Sequence, residues 1–263
     1  MKKLCLTVLA LASVGALAAP PEFQNVTKKQ LEDVSNEFAM NFSHTTVSAP
    51  ETDGVWGVEV GLVGGRTGSP KLKDLIDAAG EDGSDFENIY HAGLMARAHF
   101  PFDLFAEVSV LPGRDISDVE VESRSLGLGW NAGAFFGLPL DLAVGVNVSY
   151  SEIGFTQTIG SDANSDVSIE SKTRVLWVGA SKNFWIFTPY VKLGSAKSES
   201  DVTLDTTGGT IFTFSTSQKE SVSSTGGFFA LGSTVDLLFL RLGVEASRTA
   251  DVKRVSGKLS FAF

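Results

Sequence analysis

The sequence predicts an all-β fold: a transmembrane antiparallel up-and-down β-barrel of about ten strands, with a short N-terminal amphipathic helix before the first strand. Three observations lead to this prediction. Apolar and polar residues alternate over most of the chain, which is typical of strands with one apolar and one polar face. Beyond Ala19 no run approaches the roughly 18 apolar residues of a membrane-spanning helix. The chain also ends on an alternating stretch, 252–263, that stops at Phe263 without a polar tail.

In this last stretch one face carries Val255, Gly257, Leu259, Phe261 and Phe263, and the other carries Arg254, Ser256, Lys258, Ser260 and Ala262. An open edge strand of this kind would aggregate, whereas barrel closure removes the edge and turns the apolar face to lipid. The C-terminus resembles that of bacterial outer-membrane β-barrel proteins, whose final strand commonly ends in Phe and is recognised by the assembly machinery. The resemblance implies an assembly signal at Leu259, Phe261 and Phe263. Gly257 stands one place earlier than the family pattern requires.

The first 18 residues are predicted to be a signal peptide for export. Met1-Lys2-Lys3 forms a basic start, an apolar run follows from Leu4 to Ala19, and Ala16-Leu17-Ala18 is a small-residue cleavage site. Cys5 is the one cysteine of the sequence and lies inside this signal. We therefore expect a mature chain without a disulfide, a thiol nucleophile or a thiolate metal site. Export together with a barrel predicts the outer membrane of a Gram-negative bacterium.

Composition excludes some partners and suggests others. The formal net charge of -10 argues against nucleic acid as a partner, because phosphate binding requires clustered cations. No glycine-rich phosphate loop, zinc motif or EF-hand spacing occurs in the sequence, so we expect neither a metal nor a cofactor. The expected partners are outer-membrane lipid and lipopolysaccharide, the outer-membrane assembly machinery, and small solutes or lipid as cargo.

Three regions follow the order of the chain: the signal peptide at 1–18, an amphipathic helix and linker at 19–53, and the barrel at 54–263. The helix is predicted at about 28–42, where Leu31, Val34, Phe38 and Phe42 recur at steps of three and four. The favoured placement packs its apolar stripe on the periplasmic rim of the barrel. The alternatives are a plug inside the lumen and a helix lying on the membrane surface.

Ten strands are predicted at about 54–66, 88–99, 102–110, 119–137, 140–150, 167–184, 186–205, 210–232, 237–248 and 252–263. Tight connections at 100–101, 137–139, 184–186 and 233–236 are assigned to the periplasm, and the longer or more polar segments 67–87, 112–118, 156–166 and 205–209 to the outside. Both termini are then periplasmic. Because a span needs only about 9–11 residues, the hairpin pairing 202–204 with 211–214 is expected to project above the membrane.

The strand pattern also predicts which ionisable groups face the lumen, mainly from strands nine, ten, one, two and three, which closure makes neighbours: Glu59, Arg97, Asp103, Glu107, Arg241, Glu245, Arg254 and Lys258. The favoured interpretation is a neutralising ladder of cross-strand ion pairs that holds the barrel shape. The alternative is a pore whose selectivity these charges set. The opposite wall is mostly Gly, Ser and Asn, and leaves space for water, the 72–80 segment, the N-terminal helix or a ligand.

His91 is the one candidate for a catalytic base, pointing inward near the outer end of strand two. Its sequence context singles out no Ser or Asp partner, so a hydrogen-bonding lumen histidine is the favoured interpretation. Outer-membrane proteases share the strand number but carry an Asp-x-His pair and an Asp pair that have no match here. Palmitoyl transferases share the N-terminal helix but have eight strands. No catalytic residue is therefore predicted.

These observations favour a non-enzymatic barrel acting as a narrow pore or as a structural and surface-interaction protein. The main alternative is a channel for hydrophobic compounds with the N-terminal helix as a hatch, resembling outer-membrane fatty-acid transporters, which have fourteen strands. A lipid- or peptide-modifying enzyme is the less favoured alternative. Residues 49–61 also resemble a group of uncharacterised proteobacterial barrels with a short helix before strand one, a resemblance that implies location and fold without an activity.

Overall fold

The computed structural model describes residues 28–43, 47–51, 57–79, 84, 87–116, 119–159, 163–208 and 214–263. The predicted signal peptide with Cys5, the linker histidine His44 and the first-strand Trp56 lie outside these residues. Helix α1 spans Lys28–Asn41 and helix α2 spans Pro70–Ala79. A one-turn helix, α3, spans Ala132–Phe135. The predicted helix before strand one is therefore confirmed.

Ten strands form the body of the fold: β1 Gly57–Gly68, β2 Asn88–Phe100, β3 Leu104–Ile116, β4 Val119–Asn131, β5 Asp141–Ile159, β6 Ala163–Ser181, β7 Phe187–Gly208, β8 Phe214–Leu237, β9 Leu240–Thr249 and β10 Val252–Ala262. Each pairs antiparallel with its neighbours in the sequence, and β1 pairs with β10. The sheet is therefore a closed barrel without a free edge, which confirms the predicted fold class. No helix among the described residues is long and apolar enough to cross a membrane.

The last residue completes the closure. Main-chain bonds join Phe263 to Val58 in both directions, with N–O distances of 2.8 and 3.0 Å. We call the end where β1 begins and β10 finishes the terminal end of the barrel, and the other end the loop end. The strand number is even, so both termini of the barrel lie at the terminal end, as the connections predicted.

The apolar face of the strands points outward. Val58, Leu94, Leu126, Leu176 and Val244, from five different strands, are each 47 to 63 % exposed. Exposing such a surface to water would raise the free energy of the folded protein by about 25 cal/mol for each square ångström of apolar area. Lipid hydrocarbon solvates the same surface without this cost. The inward side chains are mainly Ser, Thr, Asn and charged residues. The fold is a transmembrane barrel with a polar interior.

Two glycines of the predicted small-residue wall make room for aromatic rings inside the barrel. A Cβ at Gly129 would collide with the ring of Phe105, and a Cβ at Gly145 would collide with the ring of Trp177. These two rings are buried and stacked, with centroids 6.3 Å apart. Part of the space that the sequence left open is therefore filled by side chains from β3 and β6.

Some predicted boundaries are wrong. Strand four was extended to 137, but β4 ends at Asn131, whose side-chain oxygen accepts a hydrogen bond from Ala134 N at 3.0 Å and begins the turn α3. Strand nine is predicted from 237, but β8 continues to Leu237 and β9 begins at Leu240; Phe239 lies in the turn between them, 59 % exposed, and stacks on Phe261. Small and apolar residues fill 132–138, and apolar residues fill 237–240, so the composition of these segments did not mark where pairing stops.

The predicted outer loops are largely strand. Segments 112–116, 156–159, 163–166 and 205–208 belong to β3, β5, β6 and β7, while 69–87, which contains α2, separates β1 from β2. β7 and β8 have 22 and 24 residues, about twice the number that a membrane span needs. Strands of polar residues also form backbone hydrogen bonds with one another in water. A segment without apolar alternation can therefore still belong to a strand. The β7–β8 hairpin is long, as predicted, but its predicted register is wrong: residues 202–204 pair with 218–220, and Phe214 pairs with Gly208.

Candidate functional site: the lumen and its N-terminal segment

The described residues that precede β1 lie largely inside the barrel. We call residues 28–51 the N-terminal segment; its described parts are 28–43 and 47–51. Met40 and Ala49 are 2 % and 1 % exposed, whereas Lys29, near the start of α1, is exposed. Phe38 packs against Ile169 and Val202 of the long β6 and β7 strands. The favoured placement of α1 on the periplasmic rim is therefore wrong, and the alternative placement inside the lumen is the one observed.

The N-terminal segment passes from one end of the barrel to the other. Glu37 bonds to main-chain N–H groups of α2, which follows directly after β1 at the loop end. Glu51 bonds to Thr188 and Thr234, which lie near the terminal-end limits of β7 and β8. Glu37 and Glu51, which are 14 positions apart, therefore lie toward opposite ends of the interior. β1 then begins at the terminal end.

Arg254 holds the C-terminal end of α1. Its guanidinium donates to the main-chain oxygens of Met40, Asn41 and Ser43, at 2.7, 3.0 and 2.5 Å. The last carbonyl groups of a helix have no partner within the helix, and a cation near them is also favoured by the helix dipole. Thr173 donates to the preceding carbonyl oxygen, that of Ala39, at 3.0 Å. The barrel wall therefore supplies the cap of this helix.

Arg97 holds the extended part of the N-terminal segment. It donates to the carbonyl oxygens of Ala49 and Glu51, at 3.3 and 3.0 Å, and its guanidinium lies 4.3 Å from the ring centroid of Phe105. Lys258 donates to the hydroxyl of Ser48. Two arginines predicted for an ion-pair ladder are thus used in large part to bind main-chain carbonyl groups of the N-terminal segment.

Glu59 is the centre of an ion cluster at the β1–β10–β9 junction. Its carboxylate lies 3.1 Å from Nη1 of Arg241 and 2.6 Å from Nζ of Lys258, and accepts a hydrogen bond from the hydroxyl of Ser260. Arg241 also pairs with Asp236. These contacts have the cross-strand form that the sequence predicted for three of the lumen charges. Glu59 is only 1 % exposed, so its charge is balanced by partners rather than by solvent.

A second cluster surrounds Glu245, and its cation was missed by the sequence prediction. Glu245 lies 3.2 Å from Nζ of Lys192 and accepts a hydrogen bond from the hydroxyl of Tyr190 at 3.0 Å. Nζ of Lys192 also lies 5.4 Å from the ring of Trp177. Lys192 is inward by the same period-two rule, between the outward Val191 and Leu193, but the prediction considered charges only from the strands around the closure.

Two further carboxylates predicted for the lumen, Glu107 and Asp103, lie in different surroundings. Glu107 is buried on β3 and stands directly opposite Arg97 in the β2–β3 register. Asp103 is not on a strand: it lies in the 3-10 turn Pro101–Asp103 with a left-handed φ of 60°, so its predicted inward position on strand three is wrong. The chain reverses there, and the alternation that suggested an inward carboxylate does not extend into the turn.

His91 lines a small cavity of about 60 Å³ between the wall and the N-terminal segment, together with Asn41, Ser123 and Arg254. The polar groups around it are hydroxyls, an amide and a guanidinium, the rest of the lining is apolar, and no carboxylate lies among these residues to orient the imidazole. General-base catalysis requires such an orienting partner beside a nucleophile. Among the described residues no group of three or more His, Cys, Asp or Glu is arranged to hold a metal ion. The cavity has the size and lining of a water site.

Glu37 joins the N-terminal segment to the outer connection. Its two carboxylate oxygens accept hydrogen bonds from the main-chain N–H groups of Lys71 and Leu72, at 3.0 and 2.9 Å, in the first turn of α2. A carboxylate there satisfies two orphan donors and favours the helix dipole. Burial nevertheless raises the pKa of Glu37 above its ordinary value, because desolvation outweighs these bonds.

The C-terminal residues predicted to form the assembly signal all face outward. Leu259, Phe261 and Phe263 are 39 %, 43 % and 80 % exposed on the wall of β10 and beyond it. Their side chains are thus available to a partner, while the main chain of Phe263 is used for barrel closure.

No protein-family model matches the chain, and no curated protein matches it either. Solved structures with a similar fold include Ail of Yersinia pestis in complex with a heparin analogue, at 14 % identity over 79 % of this chain and 97 % of that chain, with a TM-score of 0.31. The translocator domain of the autotransporter NalP from Neisseria meningitidis is 12 % identical over 89 % and 93 %, with a TM-score of 0.41. A mutant of the monoaromatic hydrocarbon channel TodX is 8 % identical over 82 % and 93 %, with a TM-score of 0.29.

These structural neighbours are bacterial outer-membrane barrel proteins, among which are an attachment invasion locus protein and a monoaromatic hydrocarbon channel. At such identities the likeness concerns the barrel fold alone.

Proposed function

We propose that this protein is a non-enzymatic barrel of the Gram-negative outer membrane that its own N-terminal segment keeps closed, and that it acts as a structural or surface-interaction protein. The observation that carries the proposal is the use of Arg254 and Arg97, both buried in the wall, to bind main-chain carbonyl groups of the segment. Taking the segment out would leave two guanidinium groups in the interior without these acceptors. The segment is accordingly an integral part of the barrel.

Orientation follows from the strand lengths. In outer-membrane barrels the short turns are periplasmic and the longer excursions are extracellular. β5 to β8 extend beyond the apolar band at the loop end, so we assign this end to the outside and the terminal end to the periplasm. The projecting wall then offers the surface on which an interaction with other molecules would take place.

A narrow pore that opens when the segment moves is the second candidate. It is favoured by the polar nature of the segment's contacts, because Glu51 and Ser48 are held by hydroxyls and an ammonium group rather than by apolar packing. A channel for hydrophobic compounds has less support, since the inward residues are mainly Ser, Thr, Asn and charged groups. An enzyme has less support still, and His91→Ala is expected to leave any lipid- or peptide-directed activity of the preparation unchanged.

Conductance in planar lipid bilayers tests the proposal. The full chain is expected to give a silent barrel, with rare brief steps at most. Arg254→Gln combined with Thr173→Val removes the wall's bonds to the end of α1, and frequent steps in this variant would support the gated pore. Lys253→Gln, an exposed neighbour on the same strand, is the control. Steady open steps from the unmodified protein would contradict a lumen closed by the N-terminal segment.

We propose two further assignments, one for the relatives of this chain and one for its assembly partner. We place the chain with the uncharacterised proteobacterial barrels that it resembles, and the helix before β1 supports this. We also propose that the assembly machinery recognises Leu259, Phe261 and Phe263, which is supported by their outward orientation on the strand that closes the barrel. Phe263→Ser should then lower the yield of heat-modifiable barrel in cells, whereas Trp185→Ser, at the 89 % exposed turn residue between β6 and β7, should not.

A further inference from the structure

The outward face of β4 to β7 carries three rows of residues that are paired across the strands. The first row contains Leu126, Val148, Arg174 and Lys197; the second contains Arg124, Tyr150, Lys172 and Glu199; the third contains Glu122, Glu152, Glu170 and Asp201. Moving toward the loop end, the wall therefore changes from apolar, through cationic, to a row made entirely of carboxylates. This order cannot be seen in any single strand, since the strand register assembles it.

The four cations of the first two rows form one patch, which we call the outer cation patch: Arg124, Lys172, Arg174 and Lys197. Lys172 and Arg124 stand on either side of Tyr150, with the ammonium 5.0 Å and the guanidinium 5.9 Å from the ring centroid. Arg174 and Lys197 are directly opposite one another and share Glu199, at 3.7 and 2.8 Å. One carboxylate is shared within a group of four cations, so the patch keeps a net positive charge.

The patch stands at the edge of the apolar band. On β6, Arg174 lies on the loop-end side of the outward Leu176 and Val178, which are 60 % and 56 % exposed. On β4, Arg124 lies on the loop-end side of the outward Leu126 and Leu128, which are 47 % and 50 % exposed. Long cationic side chains at this depth reach from the hydrocarbon boundary into the headgroup layer. The anions found in that layer are the phosphate groups of lipid.

The carboxylate row limits the depth at which an anion binds. Like charges directly opposite one another across strands repel, so the row already carries unfavourable electrostatic energy and would repel a phosphate. An anionic headgroup is therefore favoured beside the cations and disfavoured one row further out. Arginine binds phosphate through paired N–H groups and lysine through a point charge, and the patch presents both.

We propose that the outer cation patch binds the phosphate groups of a phosphorylated glycolipid of the outer leaflet, of the lipopolysaccharide type, while its acyl chains cover the adjoining apolar wall. The proposal depends on the assigned outer-membrane location and is independent of whether the lumen is closed. A soluble sulfated or phosphorylated sugar shares the anionic chemistry but lacks the acyl chains that the apolar band would contact.

The test uses the full-length barrel purified in detergent, with bisphosphorylated lipid A as the probe and its dephosphorylated form as the comparison. Binding is measured by native mass spectrometry and by the shift in thermal unfolding. The bisphosphorylated lipid is expected to bind at least tenfold more tightly, and added salt should weaken its binding. A soluble sulfated oligosaccharide is expected not to compete. Equal binding of the two lipids, or full competition by the sugar, would overturn the proposal.

Variants locate the site. Arg174→Gln with Lys197→Gln is expected to weaken binding of the bisphosphorylated lipid about tenfold or more. The double variant Lys71→Gln with Lys182→Gln removes the same charge from exposed positions outside the patch and should bind as the unmodified protein does. Glu199→Gln should strengthen binding, because it removes the carboxylate that Arg174 and Lys197 share. A loss of binding in Glu199→Gln, or none in the first variant, would be incompatible with the patch as the site.

These results are separate from the conductance experiment. A barrel that conducts steadily and still selects the phosphorylated lipid would refute the closed lumen and leave the patch intact. A silent barrel that binds both lipids equally would support the closed lumen and refute the patch as a lipid site.

Discussion

Nη2 of Arg254 lies 2.7 Å from the carbonyl oxygen of Met40, and this bond links the last strand of the barrel to a helix that precedes the first. The two residues are 214 positions apart in the sequence. Because the guanidinium also reaches the next carbonyl groups, a single wall residue fixes the end of α1. The interior of this barrel is thus organised around a contact between its last strand and the helix that precedes its first strand.

Arg254→Gln should destabilise the folded barrel. The shorter amide cannot reach all three carbonyl oxygens, and each buried carbonyl left unsatisfied costs roughly 1–3 kcal/mol. Thermal unfolding in detergent, followed by circular dichroism, measures the effect. Lys253→Gln, which faces outward, is expected to change stability by less than about 0.5 kcal/mol. Similar melting temperatures for the two variants would mean that the segment contributes little to stability.

Glu59→Gln should be more costly than the loss of an exposed ion pair. The substitution leaves Arg241 and Lys258 buried with less negative charge between them, and breaking a buried pair in this way costs about 3–5 kcal/mol. Combining it with Arg241→Met should recover part of this cost, with a coupling energy of about 0.5–3 kcal/mol. The exposed pair provides the comparison: Glu199→Gln should cost about 0–1 kcal/mol. Additive effects of Glu59→Gln and Arg241→Met would show that the two residues do not interact.

A cysteine at Lys29 should react with a membrane-impermeant maleimide on intact cells. Lys29 is exposed at the start of α1, and the segment runs from the loop end to the terminal end, so this position faces outward in the assigned orientation. Cys5 lies in the predicted signal peptide and should not contribute. Lys182→Cys, exposed beside the terminal end of β6, should react only after the outer membrane is permeabilised. The opposite labelling pattern would reverse the orientation of the barrel.

The stability contribution of Glu37 should depend on pH. Its pKa in the folded protein is raised above 4.5 by burial, so the folded state binds this proton more tightly than the unfolded state does. The contribution is therefore fully present below about pH 4.5 and is lost as the pH rises through the folded value. Relative to Glu37→Gln, the unmodified protein should gain melting temperature as the pH falls through this range. Glu32→Gln on the same helix is the control, and a pH-independent difference for Glu37 would contradict the assigned shift.

Much of the barrel was determined by the sequence alone. The alternation that placed Leu94 outside and Arg97 inside is enforced residue by residue, because a strand between lipid and a polar interior has opposite requirements on its two faces. The same rule gave the strand number, the closure of β10 on β1 and the inward Glu59, Glu245 and Lys258. It failed where neither face meets hydrocarbon, in the polar extensions of β5 to β8, and where the chain reverses, at Asp103 and after Asn131.

The tertiary structure decided what the interior contains. An amphipathic stripe on α1 indicates that one face of the helix will be covered and does not indicate by what, so Val34 and Phe38 could not exclude either the favoured rim or the lumen. The choice depends on whether Arg254, Arg97 and Thr173 stand at the spacing of successive carbonyl groups, which only the closed register fixes. The rows of the outer cation patch have the same origin, because cross-strand neighbours are separated in sequence and are brought together by hydrogen bonding between strands.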